Sequence, residues 1–275
     1  MRIIRFKDER GGMFWGIPED EGMERARIID GDLFSGNPGE RVEHVSRLVA
    51  PVVPENIYAV GFNYRRHADE TETAYPEEPE IFMKPTTSIV GPGDPVLLPL
   101  AGPDEVDYEG ELAVIIGRKG KNLSTDQARE HVLGYCCAND VSARDWQWRR
   151  QQRQWVKGKS FDTFCPLGPW IETGGAGFDP AGLRIQTFLN DLTVQDGVTG
   201  DMIFGVFELV SRLSRSVTLT PGTVILTGTP EGVGYTRKPP IFLRPGDRVS
   251  VRIEGLGTLT NPVASEGDLQ GAAGE

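Results

Sequence analysis

The sequence predicts a β-rich α+β fold. Many short runs of branched and aromatic residues alternate at period two, and Gly- or Pro-Gly-containing turns separate them. Few segments space their apolar residues at helical intervals, which argues against a parallel βαβ wind with a helix after every strand.

Residues 1–6, 12–17 and 26–29 read as short strands of a small β unit. Residues 48–54, Leu-Val-Ala-Pro-Val-Val-Pro, read as an extended connector, because each proline removes a donor and biases its predecessor away from helix. We therefore expect a small N-terminal β domain over 1–50 and a larger domain over 51–264. Strands are expected over 57–61, 81–85 and 96–98, and a buried one over 112–116. Ser124 is positioned to cap a helix, with Gln127 at its third position. Residues 136–145 resume a strand and end in polar groups, so Asp140 falls near a strand end. The stretch 146–155 mixes Gln and Arg with aromatics and reads as a solvated helix or loop. Strands over 183–194, a helix over 202–213 and strands over 217–219, 223–227, 248–253 and 258–259 follow. Residues 265–275 are small and polar and are expected to be disordered.

With 275 residues the chain can bury a full core. Its net charge of -11 disfavours nucleic acid and anionic membranes as partners, since both recruit clustered Lys and Arg. No apolar run approaches the roughly 20 residues of a membrane helix, and residues 1–24 lack the apolar core of a secretory signal. A cytoplasmic protein is the expectation. Cys136, Cys137 and Cys165 lie in apolar surroundings without C-x-x-C spacing and read as buried thiols.

The chemistry centres on Asp107-Tyr108-Glu109-Gly110-Glu111, which runs into the apolar series 112–116. If the strand continues backwards, Asp107, Glu109 and Glu111 share a face. Such carboxylates repel one another unless water screens them or a cation sits among them, and a solvated strand end and a cation site both meet that need. Glu109 and Glu111, with Asp140 from a later strand end, can supply three oxygen ligands to Mg2+ or Mn2+; His and Cys are not arranged for zinc. His67 is the remaining histidine for acid–base work once His44 and His131 are placed in the N-terminal unit and a surface helix. Glu70, three residues on, would neighbour it on a helix and orient its ring.

Gly158-Lys159-Ser160 resembles the end of a phosphate-binding loop, but that motif needs a glycine where Arg153 stands. Lys159 reads either as a surface lysine or as a partner for substrate oxygens. The loop 227–234, with Gly228 and Thr229, offers backbone N–H groups to an anion or is a plain turn.

Six blocks, read in order, resemble the fumarylacetoacetate hydrolase family: Gly61-Phe62-Asn63-Tyr64 with His67, residues 81–85, residues 107–111, residues 139–145, Lys159-Ser160-Phe161-Asp162 and Thr227-Gly228-Thr229-Pro230. The chain looks like its shorter bacterial branch. The resemblance implies a mixed β-sandwich roll, a small N-terminal domain and a homodimer. It implies one Mg2+ or Mn2+ per subunit on Glu109, Glu111 and Asp140, a His67–Glu70 dyad on a closing lid, and Lys159 beside the metal. Arg144, Gln147 and Thr229 match positions that touch substrate in the family, and Tyr64, Lys84 and Gly228 are taken with them. Asn63 falls where another branch has an additional acidic ligand, so no fourth carboxylate is assigned.

The function so implied is a divalent-metal-dependent hydrolase acting on an acylpyruvate-type 2-oxo acid. His67 activates water, hydroxide attacks the distal carbonyl, and carbon–carbon cleavage leaves an enolate. Loss of carbon dioxide or double-bond migration would use the same enolate, so an oxo-acid decarboxylase or a 2-hydroxy-dienedioate isomerase is the alternative. A metal-dependent protein that binds an oxo acid without turning it over is the rival from another class.

Overall fold

The computed structural model describes residues 1–150, 152–174 and 178–268. Its organising element is the strand Gly110–Ile116, every residue of which is buried. Side chains alternate across a strand. Leu112, Val114 and Ile116 accordingly enter one apolar cluster, while Ala113 and Ile115 enter another. Because both faces are covered, residues 112–116 of this strand are all apolar rather than alternating with polar residues.

This strand lies inside a 12-stranded mixed sheet. Its antiparallel neighbours are Val132–Asn139 on one side and Val224–Leu226 on the other, and Val224–Leu226 pairs in parallel with Ile57–Gly61. A second, 5-stranded sheet, built mainly from Leu192–Val198, Arg184–Leu189, Arg248–Ile253 and Gly257–Ser265, packs on the Leu112 face. The architecture is β-rich, as the sequence pattern predicts, and has the mixed sandwich-roll form that the family resemblance implies.

Among the described residues the named α-helices are few and short: α1 (Arg65–Glu70), α2 (Thr125–His131), α3 (Trp155–Gly158) and α4 (Val206–Ser216). In α2 the Ser124 hydroxyl accepts from Gln127 N–H while the Gln127 side chain accepts from Ser124 N–H, the reciprocal cap read from the sequence. α4 lays Val206, Leu209, Val210 and Leu213 into the core at helical spacing. Among the described residues no helix is long and apolar enough to cross a membrane.

The N-terminal strands Arg2–Lys7, Met13–Pro18, Arg25–Asp30 and Asn37–His44 form an antiparallel run with a small core of Ile4, Phe6, Ala26, Ile28 and Trp170. Arg2–Lys7 also pairs with Cys165–Thr173, so this unit extends the main sheet. Three local expectations change. Leu48 and Val49, read as the start of the connector, belong to a short strand, Arg47–Val49, on Arg2–Lys7, because both prolines lie beyond it and its own N–H groups are intact. Leu219 makes only an isolated bridge with Gly120. At the C-terminus Ser265 closes the strand Gly257–Ser265 by pairing with Leu98, and 266–268 form a helical turn; residues 269–275 of the expected disordered tail lie outside the described residues. The three cysteines are buried free thiols.

Asn63 ties the fold to the loop beyond Val224–Leu226. Fully buried, it donates to Thr227 O (2.7 Å) and Phe204 O (3.1 Å) and accepts from Phe204 N–H (2.9 Å). Gly228 in that loop has φ +93° and lies where a Cβ would meet Asn63 Cβ at 2.9 Å, so only glycine passes there without strain. Asn63→Ala strands those backbone groups without water, and we expect it to lower stability by about 3 kcal/mol, read from urea denaturation at unchanged m.

Candidate active site

Strand register brings the carboxylates together. Gly110 pairs with Asn139 and Glu111 with Ala138, so Glu109 stands beside Asp140, whose N–H donates to Glu109 O at 2.8 Å. Glu111 lies on the same strand face as Glu109. Ligand oxygens of Glu109, Glu111 and Asp140 come within 4.8 Å of one another, and all three residues are buried. Asp107 departs from the expected row. Pairing is interrupted between Val106–Asp107 and Gly110–Ile116, and the Asp107 carboxylate turns aside to accept from Arg144 Nε (2.9 Å), Gly234 N–H (2.8 Å) and Tyr235 N–H (3.0 Å). Buried without a cation it would be costly, and these donors compensate for the lost water.

Three buried cations meet the carboxylates. Lys159 Nζ donates to Glu109 Oε2 (2.7 Å) and Asp140 Oδ2 (2.8 Å). Lys84 Nζ donates to Asp140 Oδ1 (2.5 Å) and to the carbonyl of Lys159. Arg144 Nη1 lies 2.6 Å from Glu109 Oε1. Burial works against an ionised Glu109, yet Lys159 and Arg144 hold its carboxyl down at about 2. Burial likewise opposes a charged Lys159, but Asp140 and Glu109 raise its pKa. Glu111 has no salt bridge among the described residues and accepts from Gly228 N–H (2.7 Å). Burial first, then the charges of Asp140 and Glu109, push its pKa well above the carboxylate range.

His67 and Glu70 share a face of α1, with His67 Nδ1 2.7 Å from Glu70 Oε1. A carboxylate only accepts, so Nδ1 carries the proton and Nε2 keeps the lone pair. Glu70 is held in turn by Gly232 N–H (3.0 Å) and the Thr236 hydroxyl (3.3 Å). Phe62, at φ +48°, stacks on the imidazole at 5.8 Å. That left-handed backbone is strained for a non-glycine residue and turns the ring over His67. The polar stretch after α1 is tied at Tyr75 OH to Asp69 (3.0 Å) and by Glu78 to Arg212 (2.7 Å).

A cavity of about 20 Å³ brings His67, Glu109, Arg144, Gln147, Lys159 and Thr229 together. Arg144 and Gln147 are joined by a 2.8 Å bond from Nη1 to Oε1. The Thr229 hydroxyl is engaged with Gly110 O (3.0 Å) and with Gln195 Nε2 (2.8 Å). The other residues expected against substrate lie elsewhere. Tyr64 is wholly buried, belongs to the apolar cluster that holds Leu112 and Met202, and does not line this cavity. Lys84 stands on the far side of Asp140, and Gly228 holds Glu111 through its N–H. Both support the carboxylates, and neither lines the cavity.

The stretch 146–155, read as a solvated helix or loop, is helical over Trp146–Arg150 and leaves Arg149, Arg150, Gln152, Arg153 and Gln154 exposed, but Trp146, Gln147, Trp148 and Trp155 turn at least partly inward. Trp148 and Trp155 line the cavity with Phe62, Phe82 and Tyr235. The tryptophans interleaved with Gln and Arg were the available signal; only the fold shows which way they face.

The oxygen donors suit a hard dication, and Glu111, whose ionisation burial and the neighbouring carboxylates oppose, is the group that a cation there would favour in its charged form. Fold and site therefore define an enzyme class: a β-rich roll with a buried Glu-Glu-Asp group able to hold a divalent metal beside a His–Glu pair. Residues 56–264 match the fumarylacetoacetate (FAA) hydrolase C-terminal family. Oxaloacetate tautomerase fahd2, mitochondrial, of Xenopus laevis is 49% identical over 217 residues, 78% of this chain and 68% of that protein. Two solved structures also align: 5-carboxymethyl-2-hydroxymuconate delta-isomerase from Mycobacterium smegmatis (41% identity, TM-score 0.85, 97% of this chain and 100% of that one) and 2-hydroxyhepta-2,4-diene-1,7-dioate isomerase from Mycobacterium marinum (42%, 0.84, 97% and 99%). The chain belongs to the fumarylacetoacetate hydrolase family and is an enzyme.

The opposed carboxyl shifts set the pH response of the metal-free protein. Glu109 stabilises the fold above the ordinary carboxylate range, and that contribution is lost as pH falls towards about 2. Glu111 acts oppositely: its folded pKa is raised, so stability falls as pH rises from the ordinary range towards the raised value. At neutral pH, Glu111→Gln should raise the Tm of metal-free protein. Mg2+ or Mn2+ should raise the wild-type Tm and leave the variant's nearly unmoved; equal shifts in both would remove Glu111 from the ligand set.

Proposed function

We propose that this enzyme moves a proton at the carbon beside the oxo group of a small 2-oxo acid, with oxaloacetate the simplest case. The observation that carries this reading is the Glu70-oriented imidazole of His67, which lines one cavity with Lys159, further polar side chains and a set of aromatic rings. A divalent cation on Glu109, Glu111 and Asp140 would supply positive charge for the oxo-acid oxygens.

His67 Nε2, with Nδ1 committed to Glu70, takes the proton from carbon and returns it to oxygen or to another carbon. Lys159 spends two of its ammonium protons on Glu109 and Asp140 and keeps a third for the oxygen on which charge develops. Phe62, Trp148 and Trp155 keep bulk water away, which favours rearrangement over addition of water. Relatives named as an oxaloacetate tautomerase and as isomerases carry out reactions that neither add nor remove atoms, and they support this reading.

Acylpyruvate hydrolysis is the second reading, favoured by one observation: a polar cavity of about 20 Å³ suffices for a single water within reach of the dyad. Oxaloacetate and acylpyruvates, each with Mg2+ or Mn2+, separate the two. Proton transfer predicts deuterium uptake beside the oxo group and enol formation above the uncatalysed rate, with His67→Ala lowering kcat by about 10²–10⁴-fold. Heavy-oxygen incorporation into a carboxylate product faster than deuterium uptake would favour hydrolysis, and rapid release of carbon dioxide would favour decarboxylation.

A further inference from the structure

A single residue, Gly110, separates Glu109 from Glu111, and its backbone is gripped from the second sheet. Backbone groups of successive strand residues point to opposite edges. Glu109 O takes the N–H of Asp140 on one edge, so Gly110 N–H and C=O face the other. On that edge Val224–Leu226 pairs no further towards Gly110 than Ala113; Thr227 N–H still donates to Leu112 O at 3.1 Å, and the chain then turns through Gly228. Side chains take the place of the missing strand. Gln195 Oε1 accepts from Gly110 N–H (2.9 Å), Gln195 Nε2 donates to the Thr229 hydroxyl (2.8 Å), and that hydroxyl donates to Gly110 O (3.0 Å). A closed ring of hydrogen bonds thus engages both backbone groups of the residue between the two glutamates.

The ring runs in one sense only. Gly110 N–H can only donate, and Pro230 O, 2.9 Å from Gln195 Nε2, can only accept, so the amide cannot be turned over. The Thr187 hydroxyl gives Oε1 its second donor at 2.7 Å. Thr187 stands opposite Gln195 in the paired strands Arg184–Leu189 and Leu192–Val198, and both are buried, as is Thr229. An amide buried between sheets is costly unless it is fully paired, and here all four of its hydrogen-bonding capacities are used. Glycine at 110 admits this approach, since a Cβ there would come 2.1 Å from Thr187 Oγ1. Thr229, the third member of the ring, lines the cavity with His67, Glu109 and Lys159, whereas Gln195 and Thr187 do not.

We propose that Gln195 and Thr187 are positioning residues for the carboxylate site. From the second sheet they fix the Gly110 peptide, and through it the spacing of Glu109 and Glu111 as ligands of a divalent cation, while holding Thr229 at the cavity. Groups behind the ligands set the affinity and geometry of a metal site, whereas a polar cluster that served the fold alone would change stability and leave both as they were. The inference rests on Glu109, Glu111 and Asp140 being the metal ligands.

Mn2+ is the probe. Calorimetric titration reads its affinity, and the electron paramagnetic resonance spectrum of bound Mn2+ reads the symmetry of its ligands. Gln195→Met, similar in length but without the amide, should bind Mn2+ about 10–100-fold more weakly than the wild type and give an altered spectrum. Thr187→Val, which loses the hydroxyl, should lose part of the affinity, and Thr187→Ser, which keeps it, should restore the wild-type value. Melting curves establish that each variant is folded at the temperature of the titration, and the Thr187 pair carries the test if Gln195→Met is not. Wild-type affinity and spectrum in folded Gln195→Met or Thr187→Val would overturn the proposal and leave the metal site standing. A wild-type protein that takes up no Mn2+ would overturn the metal reading itself, and the positioning role with it.

Discussion

Lys159 Nζ stands between the Glu109 and Asp140 carboxylates, 2.7 and 2.8 Å from each, and the rest of the site is arranged around the charge left over. Burying ions costs several kcal/mol apiece unless each is paired and hydrogen-bonded. The second oxygen of Asp140 goes to Lys84 and that of Glu109 to Arg144, which Asp107 anchors from behind. Glu111 remains without a cation, so the carboxylates outnumber the lysines and arginine around them. A dication among these oxygens would favour the ionised form of Glu111, which burial and its neighbours otherwise oppose.

One loop completes the arrangement with backbone donors. Between Thr227 and Thr236, the N–H of Gly228 reaches Glu111, that of Gly232 reaches Glu70, and those of Gly234 and Tyr235 reach Asp107. Amides cannot be titrated or lose their charge distribution, so they hold these acids over any working pH. The same segment couples the carboxylate floor to the dyad on α1. A displacement of the loop would alter ligand geometry and imidazole orientation together.

The carboxylates sit on or at the ends of buried sheet strands, whereas the dyad sits on the short helix α1 and the aromatic wall spans several elements. Rigid elements suit groups whose spacing sets their function, and peripheral ones suit groups that must let a ligand pass. The strained backbone at Phe62 belongs to the second set, since it turns a ring towards His67 at a local cost. Polar side chains and aromatic rings that line the same cavity thus come from different parts of the chain.

Local chemistry was legible from residue order. Alternation placed Glu109 and Glu111 on one face, helical spacing joined His67 to Glu70, and Ser124 and Gln127 marked a helix start, because each depends on neighbours a few residues apart. The same alternation misassigned Asp107, since a strand's continuation depends on partners distant in sequence. Tyr64 and Lys84 were placed against substrate, but packing put one in the core and the other behind Asp140. Trp148 and Trp155 looked solvated among glutamines and arginines. Residue identity and spacing alone determined which groups could ionise, accept or turn a chain. Tertiary structure decided which of them met in a water-poor space, because strand register and sheet packing, not proximity along the chain, set the distances at which charges and rings interact.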